Sequence, residues 1–199
     1  MQENNQKYVP IMMPSRSGVC YFSTISSIMH VASALGTIVE AESHATTISA
    51  ARTFMFRTFK EKTGLNSVRG FLVDSDMYIH FGNIEKLTEI CRTADEKHYN
   101  FVIPYRINEQ YSSILLNEKE LMPNQKAAEL KNWQRVKAAG LGFYYGDLPL
   151  SYNFHTNREG AAEDWFFFTE NKLSVRVNTE IKIYHVKPIL LGIKDNLFF

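Results

Sequence analysis

Between Tyr8 and Val73, short apolar runs alternate with longer segments of helical periodicity. That alternation constrains the fold more than any other property of the chain. Tyr8-Val9-Pro10-Ile11-Met12-Met13 reads as a first strand, closed by Pro14-Ser15-Arg16-Ser17-Gly18. Residues 23–35 carry Ile25, Ile28, Met29, Ala32 and Leu35 at helical spacing, and Gly36 stops them. Thr37-Ile38-Val39-Glu40-Ala41 reads as a second strand, ending in Glu42-Ser43-His44, and residues 47–62 as a second helix stopped by Thr63-Gly64. Residues 67–73 read as a third, buried strand. Strand, helix, strand, helix and strand in that order begin a parallel, doubly wound α/β sheet flanked by helices.

The third strand runs straight into Asp74-Ser75-Asp76. The carboxyl edge of an open α/β sheet is where ligands bind, and two like charges there call for a compensating cation. A divalent metal holding a diphosphate is one such cation. A solvated turn in which the two acids cap the loop is the other reading, and the tripeptide alone does not separate the two.

Charge narrows the function classes. Lys and Arg total 22 and Asp and Glu 21, a net charge of +1. A dedicated nucleic-acid binder carries a marked basic excess, so nucleic acid is not expected as a partner. The chain is 45% hydrophobic over 199 residues, enough for a core and suited to one domain. Cys20 and Cys91 form no Cys-x-x-Cys pair, which argues against a zinc ribbon or a disulfide scaffold. No run is long and apolar enough for a membrane span, and Met1–Lys7 lacks a signal-peptide pattern. A cytoplasmic protein is expected.

The second half is less regular. A third helix is expected over residues 83–97, strands over 101–104 and 111–116, and a polar surface helix or loop over 123–135. Residues 138–146, Ala-Ala-Gly-Leu-Gly-Phe-Tyr-Tyr-Gly, form an extended segment whose glycines indicate close backbone approach to something. A short helix follows over 162–171, then strands over 174–177 and 181–184. No repeat or linker divides the chain, so residues 1–199 are read as one domain. Its nucleotide half spans roughly 8–104, its second half roughly 105–188, and a tail covers 189–199.

In this order the motifs resemble those of GT-A fold glycosyltransferases. Ile11-Met12-Met13-Pro14-Ser15-Arg16 resembles the first strand and donor-nucleoside loop of that family. Ser49-Ala50-Ala51-Arg52 resembles its small-small-Arg helix start, and Phe71-Leu72-Val73-Asp74-Ser75-Asp76-Met77 its metal strand with D-x-D. Ala139-Gly140-Leu141-Gly142-Phe143 resembles the acceptor-side glycine segment. Glu163-Asp164-Trp165-Phe166-Phe167 resembles the E-D helix, and Lys182-Ile183-Tyr184-His185-Val186-Lys187 the closing strand with its metal histidine. The resemblance covers residues 8 to 188, and in size and layout it is similar in particular to small viral members, for which the compartment would be the host cytoplasm.

The resemblance implies a single-domain, Rossmann-like sheet that is mixed but mostly parallel. It also implies transfer of a sugar from a nucleotide-diphosphate sugar to a sugar, glycan or glycoprotein acceptor. Asp74, Asp76 and His185 would hold Mn²⁺ or Mg²⁺. Asp76 is the expected direct ligand, with Asp74 turned to the ribose or a metal-bound water and Ser75 to the ribose. Asp164 would be the base for the acceptor proton, with Glu163 orienting and Asp147 in reserve. Pro14, Ser15, Arg16, Glu42 and Arg52 are the donor-side candidates, and Gly140, Gly142 and Trp165 the acceptor-side ones. Lys187 is a candidate for the diphosphate.

Each has an ordinary alternative: acids at a helix start favoured by its dipole, a strand-end histidine or lysine in solvent, a tryptophan in the core. Inversion at the anomeric carbon is expected over retention. A nucleotidyltransferase on a similar sheet and a silent nucleotide-binding or structural protein are the rival classes. The first lacks its Gly-rich, basic loop after the first strand, and intact acids at all three motif positions speak against the second.

Overall fold

The apolar runs of the first half do become parallel strands, and their boundaries follow local chemistry. The computed structural model describes residues 9–15, 20–37, 39–43, 47–156 and 163–186. In chain order these form β1 (Ile11–Ser15), α1 (Phe22–Leu35), β2 (Val39–Ser43), α2 (Ile48–Thr63), β3 (Ser67–Val73) and β4 (Met77–Ile79). A 3₁₀ turn (Phe81–Asn83) leads into α3 (Ile84–Glu96), β5 (Asn100–Val102), β6 (Tyr111–Asn117) and β7 (Glu120–Pro123). Then come α4 (Asn124–Ala128), β8 (Arg135–Val136), β9 (Ala138–Ala139), β10 (Phe143–Pro149), α5 (Glu163–Glu170), β11 (Val175–Val177) and β12 (Ile183–His185). Gly36 and Gly64 end α1 and α2 in the left-handed region, at φ 62° and 71°, where a Cβ would be strained. The Thr47 side chain accepts a hydrogen bond from the Ala50 N–H at 3.2 Å and caps the start of α2.

The central sheet has seven strands in the order β2-β1-β3-β10-β5-β11-β8. β1 pairs parallel with β2 and β3, and β11 parallel with β5. β10 lies antiparallel between β3 and β5, and β8 antiparallel beside β11. Five strands therefore run one way and two against them, a mixed but mostly parallel sheet as expected. The pairing that the sequence did not disclose is β10. It runs beside β3 over its full length, from Phe143 opposite Val73 to Pro149 opposite Ser67. The two expected halves of the chain thus share one sheet, with a strand of the second inserted between two strands of the first.

Alternate strand residues face opposite layers. Ile11, Phe71, Val73, Phe101, Phe143 and Tyr145 pack under α1 and α3, while Met12, Leu72, Val102, Tyr144 and Val175 pack under α2 and α5. The periodicity predicts α1 well but its apolar face less so. Ile25 and Met29 are exposed, and the buried side is Thr24, Ser27, Ile28, Val31 and Ala32. Ser27 is drawn inward because its hydroxyl donates to the Thr24 carbonyl at 3.0 Å and accepts from the Ile79 N–H of β4 at 3.5 Å. Two small sheets complete the structure, β4 with β12 and β6 with β7 and β9. Among the described residues no helix is long and apolar enough to cross a membrane.

Candidate active site

Five co-directional strands bring their carboxyl ends to one edge, and the acidic tripeptide stands there. The half-buried Asp74, Ser75 and Asp76 make a turn from β3 into β4, with the Met77 N–H donating to the Asp74 carbonyl at 3.2 Å. The reversed direction of β10 carries Gly140-Leu141-Gly142 to the same edge, and the Asp74 N–H donates to the Gly142 carbonyl at 3.0 Å. Ser75 is held from below, its carbonyl accepting from the Tyr21 N–H at 3.4 Å and from the Cys20 thiol at 3.3 Å.

Arg52, the fifth residue of α2, is 2% exposed and is the centre of the site. Its guanidinium donates to Asp74 Oδ1 at 2.8 Å, to Asp164 Oδ1 at 2.7 Å and to Glu163 Oε1. The Ser49 hydroxyl, one turn back, donates to the other Glu163 oxygen. The motifs Ser49-Ala50-Ala51-Arg52, Asp74-Ser75-Asp76 and Glu163-Asp164 are therefore one constellation. Ala51 is fully buried, so small residues before the arginine let α2 sit close against β1.

Charge in this cluster does not balance. One guanidinium faces three carboxylates within reach, in a setting where unpaired charge is costly. Burial pushes Glu163 up to about 7, against the opposing pull of Arg52 and with Asp164 and Asp74 adding to the rise. Burial likewise raises Asp164, opposed by Arg52 and by a hydrogen bond from the Leu141 backbone. Arg52 itself is held firmly protonated: desolvation works against its charge, and the three acids outweigh it. Its Nε is buried without a hydrogen-bond partner among the described residues.

A second pair stands beside this cluster. β12 lies antiparallel to β4 with His185 opposite Met77, and that register sets His185 Nε2 2.9 Å from Asp76 Oδ2. The Val186 N–H donates to the Asp76 carbonyl at 2.7 Å and locks the strand end. His185 Nδ1 is buried without a partner among the described residues. Among the described residues no group of three or more His, Cys, Asp and Glu side chains is arranged to hold a metal.

Tyr105 joins the two parts, and sequence reasoning passed it over. Its ring meets the His185 ring edge-on at 5.8 Å between centroids. Its hydroxyl oxygen fills the space that a side chain at Gly140 or Gly142 would need, 2.8 and 2.5 Å from where their Cβ atoms would stand. The glycines' close approach is therefore to this phenol. Burial, with Asp74 and Asp164 nearby, raises the Tyr105 phenol well above its ordinary range and keeps it protonated. The signal that could have found it is Pro104-Tyr105 just past a short apolar strand, at the edge where α/β sheets bind ligands.

The remaining candidates fall into three groups. Pro14 and Ser15 end β1 at this edge and are buried, and Glu42 stands opposite Pro14 in the β1–β2 register. Trp165, in α5, is half-buried beside the core around Phe167 and Phe168. Asp147 is not brought to the site. It lies opposite Arg69 and pairs with it at 3.2 Å, five residues or roughly 17 Å down the strand from Asp74 at ~3.3 Å per residue. Arg16 and Lys187 lie outside the described residues. A hollow of about 780 Å³ opens beside Glu163, walled by Ser49, Thr53, Phe54, Arg57, Phe154 and His155.

No protein-family model matches the chain, and no curated protein matches it by sequence. Solved structures do match. Protein A197 from STIV superposes with a TM-score of 0.61 at 16% identity, over 91% of this chain and 86% of that one. A glycosyltransferase involved in the glycosylation of the major capsid of PBCV-1 superposes at 0.53 with 11% identity, over 89% of this chain and 93% of that one. At such identities the likeness is one of fold: the chain has a GT-A-like glycosyltransferase fold.

Proposed function

We propose that this protein is a metal-dependent glycosyltransferase that moves a sugar from a nucleotide-diphosphate sugar to an acceptor hydroxyl with inversion. The observation that carries the reading is convergence. Arg52 gathers Asp74, Glu163 and Asp164 at the carboxyl edge of the sheet, and the Asp76–His185 pair stands beside them.

Asp76 and His185 fit an ion. One carboxylate oxygen and one imidazole nitrogen suit Mn²⁺ or Mg²⁺, with Mn²⁺ the better match for mixed ligation. His185 Nε2 and Asp76 Oδ2 lie 2.9 Å apart, in direct hydrogen-bond contact, and are the two atoms that would hold the ion. Diphosphate oxygens and water would complete its ligands. When bound, the ion supplies positive charge to the leaving diphosphate.

Asp164 takes the acceptor proton. The acceptor oxygen attacks the anomeric carbon, the bond from that carbon to the diphosphate oxygen breaks, and its electron pair leaves with the diphosphate. The acceptor proton passes to Asp164 Oδ as the new bond forms. Arg52 fixes the carboxylate in place, and the burial that raises its pKa makes it a better base. Glu163, next to Asp164 in sequence and tied to Ser49 and Arg52, holds the start of α5 and borders the hollow. Asp74, anchored by Arg52, faces the ribose side.

Calorimetry with nucleoside diphosphates and sugar nucleotides, with and without Mn²⁺, tests the donor site. Binding is expected to require the ion, and Asp76→Ala and His185→Ala to abolish that requirement along with tight binding. Equal affinity in excess chelator overturns the metal assignment. Asp164→Asn is expected to bind donor normally while transfer falls by about 10²- to 10⁴-fold. Pyrophosphate release from a nucleoside triphosphate and a sugar phosphate would instead mark a nucleotidyltransferase.

A further inference from the structure

We infer that the Tyr105 hydroxyl is a substrate contact, a hydrogen-bond donor that reads a hydroxyl group of the sugar being transferred. The inference rests on the donor reading given above.

The tyrosine is held for such a task. Its backbone is locked on both sides, the Tyr105 N–H donating to Ser113 Oγ at 3.1 Å and the Ser113 N–H donating to the Tyr105 carbonyl at 2.8 Å. The ring is wedged between the His185 imidazole and the Gly140-Leu141-Gly142 backbone. Two positions in that backbone lack the side chain that would collide with the phenol oxygen. Space is thus kept at two residues for one hydroxyl, yet among the described residues that hydroxyl makes no hydrogen bond. The residue is half-buried and its oxygen is not among the buried atoms that lack a partner, so the hydroxyl faces the cleft with its hydrogen-bonding capacity open to water or a ligand. A ligand that enters the cleft can take that bond in place of water.

Charge selects the ligand atom. The hydroxyl stands in the field of Asp74, Asp164 and Asp76. A phosphate oxygen placed against it would add to that negative charge, whose one opposing side-chain cation, Arg52, is already shared by Asp74, Glu163 and Asp164. A sugar hydroxyl is neutral and works in both directions: its oxygen accepts from Tyr105, and its proton goes to a neighbouring carboxylate oxygen. Position agrees with charge. The ring edge toward His185 marks the diphosphate side, and Asp164, near enough to act on the phenol, marks the acceptor side. The group bound between diphosphate and acceptor is the transferred sugar.

Tyr105→Phe removes the oxygen and keeps the ring. With Mn²⁺ present, the probes are UDP and GDP, and then UDP-glucose, UDP-galactose, GDP-mannose and GDP-fucose. Wild type is expected to bind one sugar nucleotide more tightly than its parent diphosphate. Tyr105→Phe is expected to bind the diphosphate within about twofold of wild type while losing about 3- to 10-fold of the sugar nucleotide's affinity, the worth of one neutral hydrogen bond. A deoxy analogue lacking the contacted hydroxyl should bind the two proteins alike. If Tyr105→Phe keeps the full sugar increment, or loses diphosphate and sugar nucleotide equally, the tyrosine is only packing and the inference is overturned while the donor reading stands. If wild type binds none of the probes, the donor reading falls and takes the inference with it.

Discussion

Glu163 is a residue whose sequence position alone suggests little, because acids in a first helical turn are common. Its surroundings make it unusual. It is 6% exposed, hydrogen-bonded by Ser49 and Arg52, and raised to about 7 from an ordinary 4.5 chiefly by burial. The folded protein therefore keeps a proton on Glu163 between about pH 4.5 and 7, where the unfolded chain has released it. Stability linked to this residue is full below the lower value and is lost as pH rises through the upper one. Glu163→Gln keeps the shape and the hydrogen-bonding capacity and removes the titration. Its thermal midpoint, followed from pH 4.5 to 7.5, is expected to fall less steeply than that of wild type; parallel curves would show that Glu163 stays ionised in the fold.

The scale of elements is where the glycine segment belongs. β9 is bound to β6, β10 to β3, and the three residues between them cross the sheet edge beside Asp74. That crossing is tight because the stretch after β5 sends Tyr105 into it. A Cβ at Gly140 would stand 2.8 Å from the Tyr105 oxygen and 3.2 Å from Ser113 Cβ, the next nearest atom. Gly140→Ala is expected to cost about 1–3 kcal/mol by overpacking. In the Tyr105→Phe background the cost should shrink, since the nearest obstacle has gone. Urea unfolding of the two single variants and the double variant gives the coupling. Additive losses would mean that the glycine is required for some other reason.

At the scale of the whole molecule Arg52 is the tie. It joins the start of α2 to the end of β3 and the start of α5, across 22, 111 and 112 residues of chain. Three carboxylates depend on it, and Lys or Met cannot fork to them as guanidinium does. Arg52→Met is expected to lower stability by about 3–5 kcal/mol at pH 7, because buried acids lose their shared cation. The deficit should narrow in acid, where protonation removes the repulsion. Urea titrations at pH 7 and pH 5 read both effects. A neutral result would show that the cluster is solvated and that the acids do not need the arginine.

What was legible in the sequence was local. The strand expected at roughly 67–73 forms there, the helix stops at Gly36 and Gly64 follow from glycine's left-handed freedom, and the first three strands follow the expected order. Those features depend on a few neighbouring residues, so a short window contains their cause. The acidic tripeptide was also legible as a feature of the carboxyl edge, because strand direction alone places it there. What only the tertiary structure decided was partnership. An extended stretch such as Phe143–Pro149 satisfies its backbone equally well in either direction, and burial between β3 and β5 chose the antiparallel one. His185 meets Asp76 across 109 residues, and Arg52 meets Glu163 and Asp164 across 111 and 112. Nothing in a local window says which charges will share one buried volume; that is settled when the sheet closes and each buried group must find a partner.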